Sequence, residues 1–188
     1  MEEGLQYFAM LSEENEVKGV LSIENKNCMD SEGLMQEEIG IQYLNRIAGE
    51  VPWKMSSTGI SSEDDLGLEF RGNRAGIGML YLENVCTMGV GSTDIFIGKQ
   101  PYPSWSISPE RAKWVSPHGD PPTHLYESNY AVAQMNGNKI FYDFHWDEEA
   151  YQKDNDYGWK VAIEDRTKSQ VEWKHLPASS WKGKDNSS

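Results

Sequence analysis

Apolar positions along this chain recur mostly at every second residue, and in one stretch at every third and fourth. Leu5 to Glu24 opens with YFAML, passes through the turn-forming SEEN and resumes as VKGVLSI, where Val17, Val20, Leu21 and Ile23 supply β-type apolar positions. That pattern predicts a hairpin that forms a sheet edge and its neighbour. Beyond it Leu34, Ile41, Leu44, Ile47 and Ala48 keep close to a 3.6-residue period, with Asp30 or Ser31 placed to cap the start and Gly49 and Pro52 to end the run. A helix is expected there, and Gly40 inside it must lean on packing for its stability.

The period of two returns afterwards. Trp53 to Ser56 reads as a strand, and STGISSEDDLG after it as a long polar loop. MLYL and DIFIG are short β-type runs joined by glycine-rich turns, for which a meander is the simplest topology. The clearest strand is IFYDFHWDEE, which puts Ile140, Tyr142, Phe144 and Trp146 on one face and Phe141, Asp143, His145 and Asp147 on the other. GWKVAIED is its expected return strand, and HLPASSWKGKDNSS reads as a tail that must dock to become ordered. WSISPERAKW and WDEEAYQKDNDYGW form a weak internal repeat, each compatible with a strand, turn, strand unit bracketed by two indoles.

These elements define an α+β fold, mainly antiparallel β in hairpins and a meander, with one N-terminal helix and long loops. The expected organisation is an N-terminal α+β domain over residues 1–117, a proline-rich linker or loop over 118–139, and a C-terminal β-hairpin with its tail over 140–188. At 188 residues such a chain can bury a substantial core without staples.

Charge narrows the partners. Seventeen basic against thirty acidic residues leave a formal charge of -13, which repels phosphate backbones, so nucleic acid is not an expected partner. The one concentrated basic stretch, Lys174 to Lys184, reads as a solvated tail around Trp181. Cys28 and Cys86 make neither a metal pair nor a disulfide framework and are expected to be free thiols. The acidic MEEGLQYFAMLSEENE lacks a signal-peptide pattern, and no run of about eighteen apolar residues suggests a membrane span.

Few groups suggest chemistry. Asp143, His145 and Asp147 share a strand face in a pattern that can ligate a divalent metal, but a solvated polar face has the same pattern and outweighs it. Asp154, Asp156 and Gly158 follow a calcium-loop-like order with the glycine fifth instead of sixth, so an ordinary turn is favoured. MGVGSTD shares only its glycines with phosphate-cradling loops. Neither a G-x-S-x-G elbow nor a cysteine-protease signature occurs. Paired acids such as Glu63 with Asp64 are inevitable among thirty and carry no weight. No catalytic residue, metal or cofactor is therefore assigned.

The aromatic residues speak more clearly. Seven tryptophans are present, and KQPYPSWSISPERAKW sets two of them and a tyrosine among three prolines. Rigid aromatic area with a polar edge suits protein contact and sugar stacking. Trp146 belongs on the apolar face and is expected in the core, while for Tyr102 and Trp105 contact and core both stay open. Tyr102, Trp105 and Trp114 are the contact candidates, with Arg71 and Arg74 as cations that either pair with a neighbour's acids or cap their own sheet.

In order, YFAMLSEENEVKGVLSIEN, EEIGIQYLNRIAG with VPWKMSS, RGNRAGIGMLY, KQPYPSWSISPERAKWVSP and the YDFHWDEE hairpin resemble a family of small proteins encoded by tailed phages of marine and cyanobacterial hosts. The resemblance spans about two thirds of the chain, and its specificity lies in RAGIGMLY followed by PYPSW. The sequence departs from it at Ser57 to Phe70, Glu83 to Gly98 and His118 to Lys139, and after Val161. The resemblance implies a virion protein and supplies no catalytic residues. The resulting expectation is a non-enzymatic structural or adaptor protein located in the virion, at the tail, baseplate or fibre attachment, with other virion proteins and copies of itself as partners. A capsid decoration protein and a binder of host-surface carbohydrate are the alternatives.

Overall fold

A computed structural model describes residues 4–56, 71–87, 93–126, 140–165 and 169–182. The architecture is α+β, with antiparallel strands in several small sheets and one main helix. The chain divides into two units, Met1–Pro101 with Ile107–Trp114, and Tyr102–Ser106 with Val115–Ser188. The second unit thus takes in the PYPSW tryptophan as well as the described part of residues 118–139. Pro122 is fully buried there.

In the first unit, β1 (Leu5–Leu11) lies between β2 (Val17–Glu24) and β3 (Trp53–Ser56), antiparallel to both. The predicted hairpin is present, with β2 as the sheet edge and β1 as its neighbour at the centre. Its near-continuous run YFAML follows from burial on both faces. Phe8 packs with Ile23, Cys28, Leu44, Trp53 and Met55. Ala9 and Leu11, on the opposite face, pack with Val17, Ala75, Tyr81 and Phe96.

The helix α1 spans Glu37–Ala48, later than the sequence pattern suggests. Asp30 does not cap it. Its carboxylate instead accepts hydrogen bonds from Glu32 N and Leu34 N, both at 2.9 Å, and from Gln36 Nε2 at 3.0 Å, closing a turn that leaves Leu34 exposed. Gly40 faces the sheet. A Cβ there would stand 2.3 Å from Phe8 Cζ and 3.0 Å from Cys28 Sγ, so glycine is what lets the helix approach β1.

The short strands β4 (Leu80–Leu82) and β5 (Ile95–Ile97) pair antiparallel, as do β6 (Ser106–Ser108) and β7 (Lys113–Val115). Phe96 points to the core of Ala9 and Leu11, while Ile95 and Ile97 join Cys86 and Ala112, with Trp114 against them. Cys28 and Cys86 are free and buried. STGISSEDDLG lies outside the described residues.

The RGNRAG turn ties these pieces together. Arg71 is buried, and its guanidinium grips the Glu37 carboxylate through two bonds, Nη1 to Oε1 at 2.7 Å and Nη2 to Oε2 at 2.8 Å. Nη1 also donates to Met55 O at 2.8 Å, and Met55 N donates to Glu37 Oε1 at 2.6 Å. Asn73 Nδ2 donates to Phe96 O and Ala112 O, and Ala75 N to Ser56 Oγ. Helix, sheet and the two short hairpins of this unit therefore converge on six residues.

The second unit is a three-stranded antiparallel sheet, β8 (Ile140–Trp146), β9 (Trp159–Asp165) and β10 (Gln170–His175), in the order β10-β9-β8. A short helix α2 (Glu148–Lys153) joins β8 to β9, started by Asp147, whose side chain accepts from Ala150 N at 3.0 Å. This helix separates the two parts of the weak repeat: WSISPERAKW closes a two-stranded hairpin, whereas WDEEAYQKDNDYGW contains a helical turn. Lys174 and His175, expected in a solvated tail, are instead the last two residues of the strand β10. Among the described residues no helix is long and apolar enough to cross a membrane.

Breaking the Arg71–Glu37 pair from one side takes the two-bond carboxylate from a buried guanidinium, with Asp94 Oδ2 still 3.9 Å from its Nε. Glu37→Gln is expected to destabilise the protein by about 2–4 kcal/mol, below the full cost of a wholly buried pair because Glu37 is partly exposed. Urea denaturation followed by intrinsic fluorescence measures this, and a loss under about 1 kcal/mol would remove the pair from its central place.

Candidate interaction surface

The alternation predicted for IFYDFHW sets the two faces of the second unit's sheet apart. Trp146, paired with Trp159, lies on the core face with Val161 and Leu176, and Tyr142, Phe144 and Ile163 pack against them half-buried. Two of the contact candidates belong to this core. Trp105 meets Trp146 and Trp159 edge to face, with ring centroids 6.0 Å from each, and Tyr102 packs on Trp105 at 5.4 Å. Ser104 Oγ, between them in PYPSW, donates to Glu148 Oε2 at 2.6 Å, and Trp146 Nε1 donates to the same oxygen at 2.8 Å. Glu148 holds this segment down, and Tyr102 and Trp105 pack half-buried against the core of their own unit.

Other predicted residues are placed as follows. Trp114 packs in the first unit, its Nε1 donating to Gly98 O at 2.7 Å. Arg71 is bound inside its own unit, which is the sheet-capping role left open for it. Arg74 is exposed with its guanidinium 4.6 Å from the centre of the Tyr7 ring, and Ile77 stands 76% exposed in the same turn.

His118 sits against Trp146 and Tyr151 at 5.6 Å each and Trp181 at 6.5 Å. Its Nε2 lies 3.0 Å from Tyr157 O and its Nδ1 3.3 Å from Lys182 Nζ. A carbonyl only accepts and an ammonium only donates, so the imidazole carries its proton on Nε2.

The acids named as metal candidates are engaged with protein donors. Asp143 pairs with His145 at 2.8 Å, while Asp147 turns to α2 and to Lys160 Nζ at 3.1 Å. Asp154 accepts from Asp156 N, and Asp156 accepts from Ser179 N at 2.7 Å and Ser179 Oγ at 2.6 Å, which docks the segment after β10. Among the described residues no group of three or more His, Cys, Asp or Glu side chains is disposed to hold a metal ion.

What the sheet presents outward is its other face and the strand β10. Every residue of β10 is exposed, with Val171 at 56% and Trp173 at 53%. Trp173 lies beside the His145 ring at 5.1 Å and under the Lys160 ammonium at 5.0 Å, and His175 approaches Asp147 at 3.9 Å. The result is an exposed indole framed by cationic and imidazole groups on a strand whose outer edge no described strand covers. No family model, curated protein or solved structure matches this chain. Period-two alternation in QVEWKH, apolar Val171 and Trp173 against charged Glu172 and Lys174, was the sequence signal for this strand.

Several carboxylates of this unit ionise more readily than usual. The Ala150 N–H, then Lys160, holds Asp147 low, and the Ser179 hydroxyl and N–H hold Asp156 low. For Glu148 burial opposes ionisation, but the donors on Ser104, Gln152 and Trp146 outweigh it and lower its pKa. A depressed pKa contributes stability above the unfolded value, about 4.3 for glutamate, and loses it as pH falls through the folded value. Glu148→Ala is accordingly expected to cost about 1–2 kcal/mol at pH 7, with the gap to the unaltered protein shrinking below about pH 4. Urea titrations at pH 7 and pH 3, read by tryptophan fluorescence, check it; an unchanged gap would mean the carboxylate charge does not anchor PYPSW.

Proposed function

We propose that this chain is a non-enzymatic structural or adaptor protein of a tailed-phage virion, acting by protein contact at the tail, baseplate or fibre attachment. The observation that carries the contact role is β10, a fully exposed edge strand bearing Trp173 and Val171. Exposed aromatic area of this kind, rimmed by charge, suits binding to another protein. The virion setting is supported by the ordered resemblance of RAGIGMLY and PYPSW to phage proteins. Crosslinking mass spectrometry of purified particles tests it, with crosslinks from Lys160 or Lys174 to other virion proteins as the expected result. Absence of this chain's peptides from the particle would end the virion reading.

A second reading, carbohydrate binding at the host surface, is favoured by the half-exposed Trp173 ring, beside which His145, itself paired with Asp143, offers a hydrogen-bonding group. Sugar stacking would be lost in Trp173→Ala. Glycan-array binding by the folded protein that vanishes in that variant supports this second reading, and a blank array with folded protein removes it.

A further inference from the structure

The backbone of β10 decides what can pair with it. Leu176 N donates to Trp159 O at 2.9 Å, in register with the Lys174–Val161 and Glu172–Ile163 pairs. In an antiparallel ladder the bonding groups alternate. Those of Gln170, Glu172 and Lys174 thus point toward β9, and those of Val171, Trp173 and His175 point out at the open edge. A strand added there must bond to these three odd-numbered residues.

We propose that the occupant is β10 of a second copy, antiparallel to the first about a two-fold axis at Trp173. In this register Trp173 lies opposite the partner's Trp173 and Val171 opposite the partner's His175, all through outward-pointing groups. Glu172 then faces the partner's Lys174, and Lys174 the partner's Glu172, at the non-hydrogen-bonded positions where Cα atoms approach to about 4.5 Å and side chains are closest. Moving the axis to residue 172 or 174 keeps the same backbone groups available but sets Glu172 against the partner's Glu172, or Lys174 against the partner's Lys174. Placing it between residues opposes outward groups to inward ones and loses the ladder. Of the registers that pair five or more residues of each β10, this one alone satisfies both backbone and charge, and an isologous contact of this kind closes as a dimer.

Charge reinforces the choice. Two chains of charge -13 repel each other, and the paired Glu172 and Lys174 add no net charge to the contact. Pairing also covers Val171 and Trp173, the two large apolar side chains that β10 exposes. The product is a continuous six-stranded antiparallel sheet with both indoles on one face.

This inference rests on the contact role proposed for β10 but not on the virion setting. Sedimentation velocity of the full chain over a wide concentration range tests it. The unaltered protein is expected to form a reversible dimer. Glu172→Lys and Lys174→Glu, each of which creates two like-charge pairs, are expected to weaken it by about tenfold or more, and the double exchange E172K/K174E to restore it. Val171→Pro removes an outward N–H that β9 does not use, so it abolishes the dimer while far-UV circular dichroism and Tm stay those of a folded protein. A monomer at every concentration, single variants that dimerise as well as the unaltered protein, or a double exchange that stays monomeric would each overturn the proposal. A dimer in solution from a chain absent from particles leaves this inference standing and ends the virion reading; a monomer in solution from a chain found in particles does the opposite.

Discussion

The first unit depends on the ion pair between Arg71 and Glu37. A guanidinium offers five donors in a fixed planar fork, and here two of its nitrogens are matched to both carboxylate oxygens while one also reaches Met55 O. Burying a cation alone would cost several kcal/mol. The carboxylate sits in the first turn of α1, where the positive end of the helix favours it, so helix, strand and turn are held by one charge-satisfied knot. The surroundings extend it: the Tyr81 ring lies 5.4 Å from the guanidinium, and the Tyr81 hydroxyl donates to Asp94. Burial, then the bond to Asp94, pushes the Tyr81 hydroxyl well above its usual range. Burial works against ionisation of Asp94, yet bonds from Tyr81 and Asn84 N, with Arg71 nearby, hold its pKa below the ordinary value.

That knot also accounts for the backbone. Arg71 has φ 57 and Gly72 φ 72, a left-handed pair that costs a non-glycine residue about 1–3 kcal/mol. The surroundings over-determine it. Gly72 could not carry a side chain, because a Cβ there would stand 2.6 Å from Ala112 Cβ. The turn is narrow because β5 and the β6–β7 hairpin close on it from one side while Arg71 reaches out the other.

What the sequence made legible follows from the range of each interaction. β1, β2, β3, β4, β5, β8 and β9 all lie where alternation or apolar runs placed them, because burial pattern is a local signal. The start of α1 was misplaced since Asp30 satisfies backbone N–H groups equally well in a turn as at a helix cap, and only Gln36 and the packing of Gly40 decide between the two. The partners of Arg71, Trp105 and Trp114 were not legible, because Glu37 is 34 residues from Arg71 and Glu148 is 44 from Ser104, and pairing over such separations leaves no periodic trace. β10 escaped for the opposite reason. Its residues alternate, but all are exposed, so no buried apolar face marks the strand.

The tryptophans of the second unit show how one residue type serves two ends. Trp105, Trp146 and Trp159 interlock edge to face and give a small sheet a core that its three strands alone could not supply. Trp173, on the opposite face, lies beside His145 and Lys160 and stays half in solvent. An edge strand carrying such a residue invites indiscriminate pairing unless something limits it, and charges on the strand are the usual limit. Glu172 and Lys174 have that position. Because they are of opposite sign and flank the indole symmetrically, they oppose strands that present an unmatched charge while leaving one complementary arrangement uncharged by conflict. Selectivity at this edge is thus written in the two residues that solvate it, and the indole between them supplies area without choosing the partner.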